Sequence, residues 1–312
     1  MSRLLTGLAV GLLSAAASGQ AVAADWGVQQ EPMFKPAYPV DMMPYEDSLD
    51  FEAGLRYFYG MGGQRATISG QNYTADDASH FVEVHGKIDD SSTNTYVQGN
   101  LGYAAMIDNT YQTPTSGGAQ TSTAGAIAYG GADFGYLPVN TEGLAFGGFV
   151  GYQYLNESAY MGRSQFLMAS GGGNSEPNSL EVHGLRLGAT ARADINDVFD
   201  VRVDAAAIPY ASLSGTYGAF DLASLDPSLT QGNAPQISGH LYGGALEAMV
   251  GFKPHENFAI RAGVRGYYLT GPTETYFEAR DTGDPTQSQG FTSQGTMELF
   301  RWGPVIELTG TF

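Results

Sequence analysis

From residue 48 onward, apolar and polar side chains take turns along the chain. Phe51, Ala53, Leu55, Tyr57 and Tyr59 share one parity, against Glu52 and Arg56 on the other. Val82, Val84 and Ile88 oppose Glu83, His85 and Lys87, and Phe199, Val201, Val203 and Ala205 oppose Asp200, Arg202 and Asp204. Phe258, Ile260, Ala262, Val264 and Tyr268 oppose Arg261, Arg265 and Tyr267. A period of two is the signature of strands with one apolar face. The pattern predicts ten of them, at about 48–61, 79–89, 94–107, 124–137, 143–156, 179–195, 198–213, 236–253, 256–271 and 295–312. Long polar gaps near 62–78, 108–123, 157–178, 214–235 and 272–294 alternate with tight turns at Asp89-Asp90, Pro138, Asn196-Asp197 and Pro254. Five long and four short connections fit an all-β fold, a transmembrane antiparallel up-and-down β-barrel of about ten strands, with long loops at one end and short turns at the other. Several stretches exceed the 9–11 residues that cross a bilayer, so some strands project beyond it.

The segments before the barrel have a different character. Arg3, the apolar stretch from Leu4 to Ala17 and the small residues Ala21-Val22-Ala23 predict a signal peptide over 1–24, its core too short to span a membrane. Residues 25–47, with Pro32, Pro36, Pro39 and Pro44, read as an extended periplasmic lead-in, and 48–312 as the barrel. The chain has no cysteine, so neither a lipid-anchored cysteine nor a disulfide enters the picture. With 43 Gly, 19 Tyr, 16 Phe and only 15% charged residues, the composition suits a barrel wall.

Lipid and charge then assign the faces. An Arg or Lys at the bilayer midplane costs roughly 2–4 kcal/mol, so the charged parity faces the lumen. That places Glu52, Arg56, Glu83, Lys87, Asp133, Arg186, Arg192, Asp194, Asp200, Arg202, Asp204, Glu247, Arg261, Arg265, Arg301 and Glu307 inside. Cations and anions balance there, and a ten-stranded interior is nearly filled by side chains. The expected interior is a plug of ion pairs, with a narrow cation-preferring channel as the alternative. Tyr59, Tyr152, Tyr154, Tyr210, Tyr242, Tyr268 and Trp302 form an expected girdle toward the loops, and Tyr136, Phe199, Phe252, Phe258 and Phe312 one toward the turns.

Net charge is -18, and loss of the signal removes Arg3 but no acid. With the cations assigned to the lumen, the excess falls on Asp76, Asp77, Asp108, Glu157, Glu176, Asp221, Asp226, Glu274, Glu278, Asp281 and Asp284, expected in loops. Such a surface repels phosphate, which excludes nucleic acid as a partner. Divalent cations bridging loop carboxylates to anionic lipid are one reading and plain solvation the other, since no calcium-loop motif is present. The Gly171-Gly172-Gly173-Asn174 run lacks the lysine and the strand–helix context of a phosphate cradle, so no cofactor is expected. His80, His183 and His240 each fall near the loop end of a strand, offering either a metal or acid–base site or polar rim residues facing water.

The last strand alternates Trp302, Pro304, Ile306, Leu308, Gly310 and Phe312 against Arg301, Gly303, Val305, Glu307, Thr309 and Thr311. In this it resembles the Gram-negative outer-membrane β-barrels. That resemblance implies an outer-membrane location, contact with outer-membrane lipid and lipopolysaccharide, and a C-terminal signal for the barrel-assembly machinery carried here by Trp302, Ile306, Leu308 and Phe312. The ten-strand plan also resembles that of the omptin proteases, which carry an acidic pair in the second outer loop and an Asp-x-His pair in the fourth. This chain offers only Asp108 near the second loop, and Asp221 and Asp226 without an adjacent histidine in the fourth. The expectation is therefore a non-enzymatic envelope or surface barrel, with the narrow porin second and a hydrolase third.

Overall fold

The computed structural model describes residues 48–112, 119–123, 125–141, 143–159, 178–216, 228–231, 235–281, 283–284 and 286–312. The expected signal peptide and lead-in lie outside these residues, as do Glu176, Asp221, Asp226 and the Gly171–Asn174 run.

The described chain is all β. Ten long strands carry the fold: β1 (Leu49–Ile68), β2 (Gln71–Asp90), β3 (Thr95–Gln112), β5 (Ala126–Thr141), β6 (Leu144–Ser158), β7 (Ser179–Asp194), β8 (Phe199–Thr216), β10 (Gln236–His255), β11 (Phe258–Asp281) and β12 (Ser288–Thr311). Two three-residue strands, β4 (Gln120–Ser122) and β9 (Leu229–Gln231), add to the loop-end edges of β3 and β11. Each long strand pairs antiparallel with its sequence neighbours, and β1 pairs with β12 from Glu52↔Thr311 to Ile68↔Gly295, which closes the ring. Closure leaves no open edge for another chain to extend.

Strand length departs from the sequence pattern in two places. The gaps expected near 62–78 and 272–294 are largely strand. β1 and β2 run on to a two-residue hairpin at Ser69-Gly70, and β11 and β12 reach 24 residues each. These extensions keep the period of two, but Gly, Gln, Thr and Asp on their outer face give them a loop-like composition. Ser69 and Gly70 both have positive φ, 52° and 76°, as a type I′ hairpin requires. A Cβ on Gly70 would meet nothing within 4 Å, so Gly70→Ala isolates the backbone term. It is expected to cost about 1 kcal/mol, read as a lower urea midpoint of the refolded barrel.

The wall is apolar outside. Leu55, Val84, Leu101, Phe134, Val150, Leu187, Leu246, Val264 and Ile306 are all exposed, from strands around the whole ring. No water-soluble fold leaves so continuous an apolar band uncovered. Tyr103, Tyr152, Tyr210, Tyr242, Tyr268 and Trp302 border it toward the loops, and Tyr136, Phe199, Phe252, Phe258 and Phe312 toward the turns.

Bulges shift this alternation in β3 and β8, and another lies at Leu137-Pro138 in β5, which runs on past the turn expected at Pro138. Opposite His80/Phe81 an extra residue enters β3, so the buried positions change from Gly102 and Ala104 to Ile107, Asn109 and Tyr111. In β8 the buried set passes from Ala206 and Ile208 to Ala211 and Leu213, with Pro209 at the irregularity. A proline has no N–H to give a ladder, and a bulge is where a sheet tolerates one.

Candidate functional site

The inward side chains fall into storeys. Nearest the turns, both guanidinium nitrogens of Arg202 hold Glu52, at 2.8 and 2.6 Å. Asp89 takes Lys87 and, at 3.0 Å, Arg192, whose guanidinium lies 4.4 Å from the centre of the Tyr96 ring. Lys253 bridges Asp194 at 2.5 Å and Asp200 at 3.5 Å. Asp194 was expected in the lumen; it stands half exposed at the mouth, because β7 ends there.

One storey up, arginines and carboxylates alternate. Arg56 contacts Glu83 at 2.9 Å, Glu247 at 3.6 Å and Glu307. Arg265 reaches Glu83 at 2.6 Å and Glu247 at 2.5 Å. Arg261 joins Glu307 at 2.7 Å to Asp200 at 3.1 Å. Glu83 is wholly buried, and Asn100 adds a hydrogen bond to it at 3.2 Å. On the opposite wall Asp133 receives Arg186 at 3.2 Å and Gln98 at 3.1 Å. Charges taken out of water hold such positions when each finds a counter-charge and further hydrogen bonds, and these do.

Above them Arg301 closes a clasp across the barrel. It donates to Asp77 at 2.7 and 3.0 Å and to Glu157 at 2.7 and 3.2 Å, and stands 5.2 Å from the centre of the Phe81 ring. Ser79 supports Asp77, and the Tyr267 hydroxyl supports Glu157. Space for the clasp comes from Gly62, where a Cβ would lie 2.5 Å from both Arg301 Nη2 and Asp77 Oδ1. Asp77 and Glu157 were expected on acidic loops. They face inward because β2 and β6 extend past the bilayer-spanning length with their parity intact, in line with Ala75 and Ser79 and with Gln153 and Leu155. Asp76, Asp108, Glu274 and Glu278 likewise lie on strands rather than in loops.

The top storey is mainly apolar, with Gln64, Asn109, Thr273 and Thr275 buried at the same level. Ile68, Tyr73, Tyr111, Leu155, Leu180, Val182, Ile208, Leu213, Ile237, Leu241, Leu269, Phe277, Met297 and Leu299 are buried in one cluster, and Tyr129 of β5 packs against it. Every long strand thus contributes to a hydrophobic layer across the lumen. An interior of ion pairs was expected throughout; it occupies only the half toward the turns. The signal was present as a reversal of faces: in β10 Ile237 and Leu241 hold the inward parity that Glu247 holds lower down, while Gln236, Ser238 and His240 face out, and in β8 Leu213 is inward between Ser212 and Ser214.

The three histidines do not meet. Each lies within its strand and faces outward, at the loop-side aromatic girdle. Tyr57 Oη and His80 Nδ1 are 2.6 Å apart, as are Tyr152 Oη and His183 Nδ1, while the rings of Tyr210 and His240 stand 5.1 Å apart. The mouth position expected of them assumed shorter strands. Among the described residues no group of three or more His, Asp or Glu has the geometry to hold a metal ion.

Trp302, Ile306, Leu308 and Phe312 all face outward, Phe312 at 73% exposure. Phe51 and Phe312 exchange backbone hydrogen bonds of 3.1 and 3.0 Å, so the final residue is paired into the wall.

No protein-family model matches the chain, and no curated protein does. Among solved structures, the outer membrane protease OmpT from Escherichia coli is similar over 84% of this chain and 97% of its own, with a TM-score of 0.55 and 10% identity. The Pseudomonas putida toluene transporter TodX aligns over 85% of this chain and 89% of its own, with a TM-score of 0.29 and 9% identity. The β-domain of the Bordetella autotransporter BrkA aligns over 83% and 98%, with a TM-score of 0.31 and 11% identity. The likeness to OmpT is one of fold: this chain has the architecture of an outer-membrane β-barrel.

Proposed function

We propose that the protein is an integral outer-membrane barrel whose lumen is closed, and that it serves the envelope through its outward-projecting end rather than by conduction or catalysis. The observation that carries this reading is the apolar layer above the Arg301 clasp. An ion crossing it would leave water for a packed, mainly apolar interior, where hydrophobic constrictions already block by dewetting. The strand extensions beyond the girdle carry Asp76, Glu274, Glu298 and the Arg65–Asp76 pair at 2.6 Å, a charged surface suited to polar or cationic partners.

The non-enzymatic reading is supported by His80, His183 and His240, which are separate, outward and engaged with tyrosines or stacked beside them, and by the inward His85, whose neighbour Glu307 at 3.6 Å is already paired with Arg56 and Arg261. Asp108 on β3 is exposed on the outer wall, and the acids expected of a fourth loop lie outside the described residues. The narrow porin requires a path through the upper storey.

Swelling of proteoliposomes tests the reading. Vesicles carrying folded barrel are expected to respond to an arabinose gradient no faster than vesicles without protein. Swelling at the rate of a general porin would overturn the closed lumen.

A further inference from the structure

On the lipid-facing wall one arrangement of side chains occurs three times. Tyr57 of β1 meets His80 of β2, Tyr152 of β6 meets His183 of β7, and Tyr210 of β8 meets His240 of β10. A second tyrosine packs on two of these histidines: Tyr59 stands 5.1 Å from His80 and Tyr154 5.2 Å from His183, ring centre to ring centre. All three lie in the loop-side girdle, the depth at which a bilayer passes from acyl chains to headgroups. Hydrogen bonding orients two of the rings. Of a phenol O–H and an imidazole N–H the phenol is the stronger acid, so Tyr57 and Tyr152 donate to Nδ1 at 2.6 Å. The ring hydrogen then sits on Nε2, which becomes the donor that a membrane group meets.

Each pair also has a carboxylate one outward position nearer the loop end. Glu181 lies two residues before His183 on the same strand, and the Tyr154 hydroxyl contacts it at 3.4 Å. Asp108 of β3 is paired with Ala78, two residues before His80, and Glu274 of β11 with Ser238, two residues before His240. All three acids are exposed. Two residues of strand rise about 7 Å. At three places, then, the wall presents a histidine at headgroup depth and a negative charge about 7 Å farther out along the strands.

We propose that each Tyr–His pair, with its carboxylate, binds the headgroup of a phosphoethanolamine lipid, the histidine donating to the phosphate and the carboxylate taking the ammonium. In such a lipid the phosphate is next to the acyl anchor and the ammonium lies beyond it across a two-carbon bridge, the same order as histidine and acid on the wall. A purely anionic headgroup would meet these acids unshielded. The ammonium supplies the counter-charge, and its N–H groups make charge-assisted bonds to a carboxylate. The site continues a wall that lipid already covers, since Val82 and Leu185, the next outward residues toward the turns from His80 and His183, are both exposed. It goes beyond the closed-barrel reading and does not depend on it, because it lies wholly outside the lumen.

The test is thermal unfolding of the refolded barrel in a non-ionic detergent, titrated with short-chain phosphatidylethanolamine, phosphatidylcholine or phosphatidylglycerol. The midpoint is expected to rise with the logarithm of the phosphatidylethanolamine concentration. The choline lipid, which has no ammonium N–H, and the glycerol lipid, which has no cation, are expected to match that gain only at roughly tenfold higher concentration, the effect of losing one charge-assisted hydrogen bond. His80→Phe, His183→Phe and His240→Phe combined keeps the girdle aromatic and is expected to abolish the preference. So is Asp108→Asn, Glu181→Gln and Glu274→Gln combined. Native mass spectrometry of wild type needs no variant: from an equimolar mixture of the three lipids, the retained molecules are expected to be mainly phosphatidylethanolamine. Equal gains from the three lipids, or an unchanged preference in either combined variant, would overturn the site. Retained lipid that mirrors the mixture, or that favours phosphatidylglycerol, would overturn it as well.

Discussion

Arg301→Leu is expected to lower the stability of the folded barrel by about 3–5 kcal/mol, the cost of removing one partner from a buried ion cluster. The variant leaves Asp77 and Glu157 facing each other across the lumen, both buried, with only Ser79 and Tyr267 to support them. Two like charges in a low dielectric repel, and neither has water to turn to. Replacing the cluster as a whole separates this cost from simple loss of packing. Arg301→Met combined with Asp77→Leu and Glu157→Leu is expected to recover most of the loss, because no charge is then left buried. Urea unfolding monitored by tryptophan fluorescence and heat-modifiable mobility reads both. A loss below about 1 kcal/mol in Arg301→Leu would mean that water reaches the clasp and that the storey above it is open.

Leu246→Arg is the second large effect, expected at about 2–4 kcal/mol, and it tests the outer wall rather than the lumen. Leu246 is exposed near the middle of β10, between Tyr242 of one girdle and Phe252 of the other. Its neighbour Glu247 points inward to Arg265. One residue along the strand therefore separates lipid from the ion-paired interior. The same substitution at Ser238, on the exposed face beyond the girdle, is expected to change stability by less than about 0.5 kcal/mol. Equal small costs at both positions would contradict a bilayer around β10.

The contrast between these two sites also shows what the sequence could and could not convey. The outer wall was legible because lipid imposes one rule on every strand: Val82, Val84 and Ile88 must face it, and Glu83 and Lys87 must not. The number of long strands and their up-and-down order followed from that rule and from the turns. Extents were less legible, since Gly62, Gly63, Gln64 and Thr67 fill the outer part of β1 with residues that also fill loops. Parity failed where a bulge adds a residue, and nothing before Pro209 announces the change of face in β8. The partners of the inward charges were not legible at all. Arg301 and Glu157 are 144 residues apart and meet across the barrel, so their contact depends on ring closure and stagger rather than on any local pattern. For the same reason Asp200 and Arg202 looked alike in the pattern, and only the assembled lumen shows that one meets Arg261 and the other Glu52.

Closure of the lumen is the claim on which the functional account stands, and electrical recording addresses it most directly. Refolded barrel, its folding shown by heat-modifiable mobility, would be inserted into a planar bilayer in 1 M potassium chloride (about a tenfold stronger electrolyte than the roughly 0.1 M reference for screening). A closed lumen leaves the membrane as silent as one without protein, since ions that enter from the turn end stop beneath the apolar storey. Steady unitary steps from the folded wild-type barrel, with a reversal potential that favours cations under a salt gradient, would contradict it and make the protein a narrow cation channel.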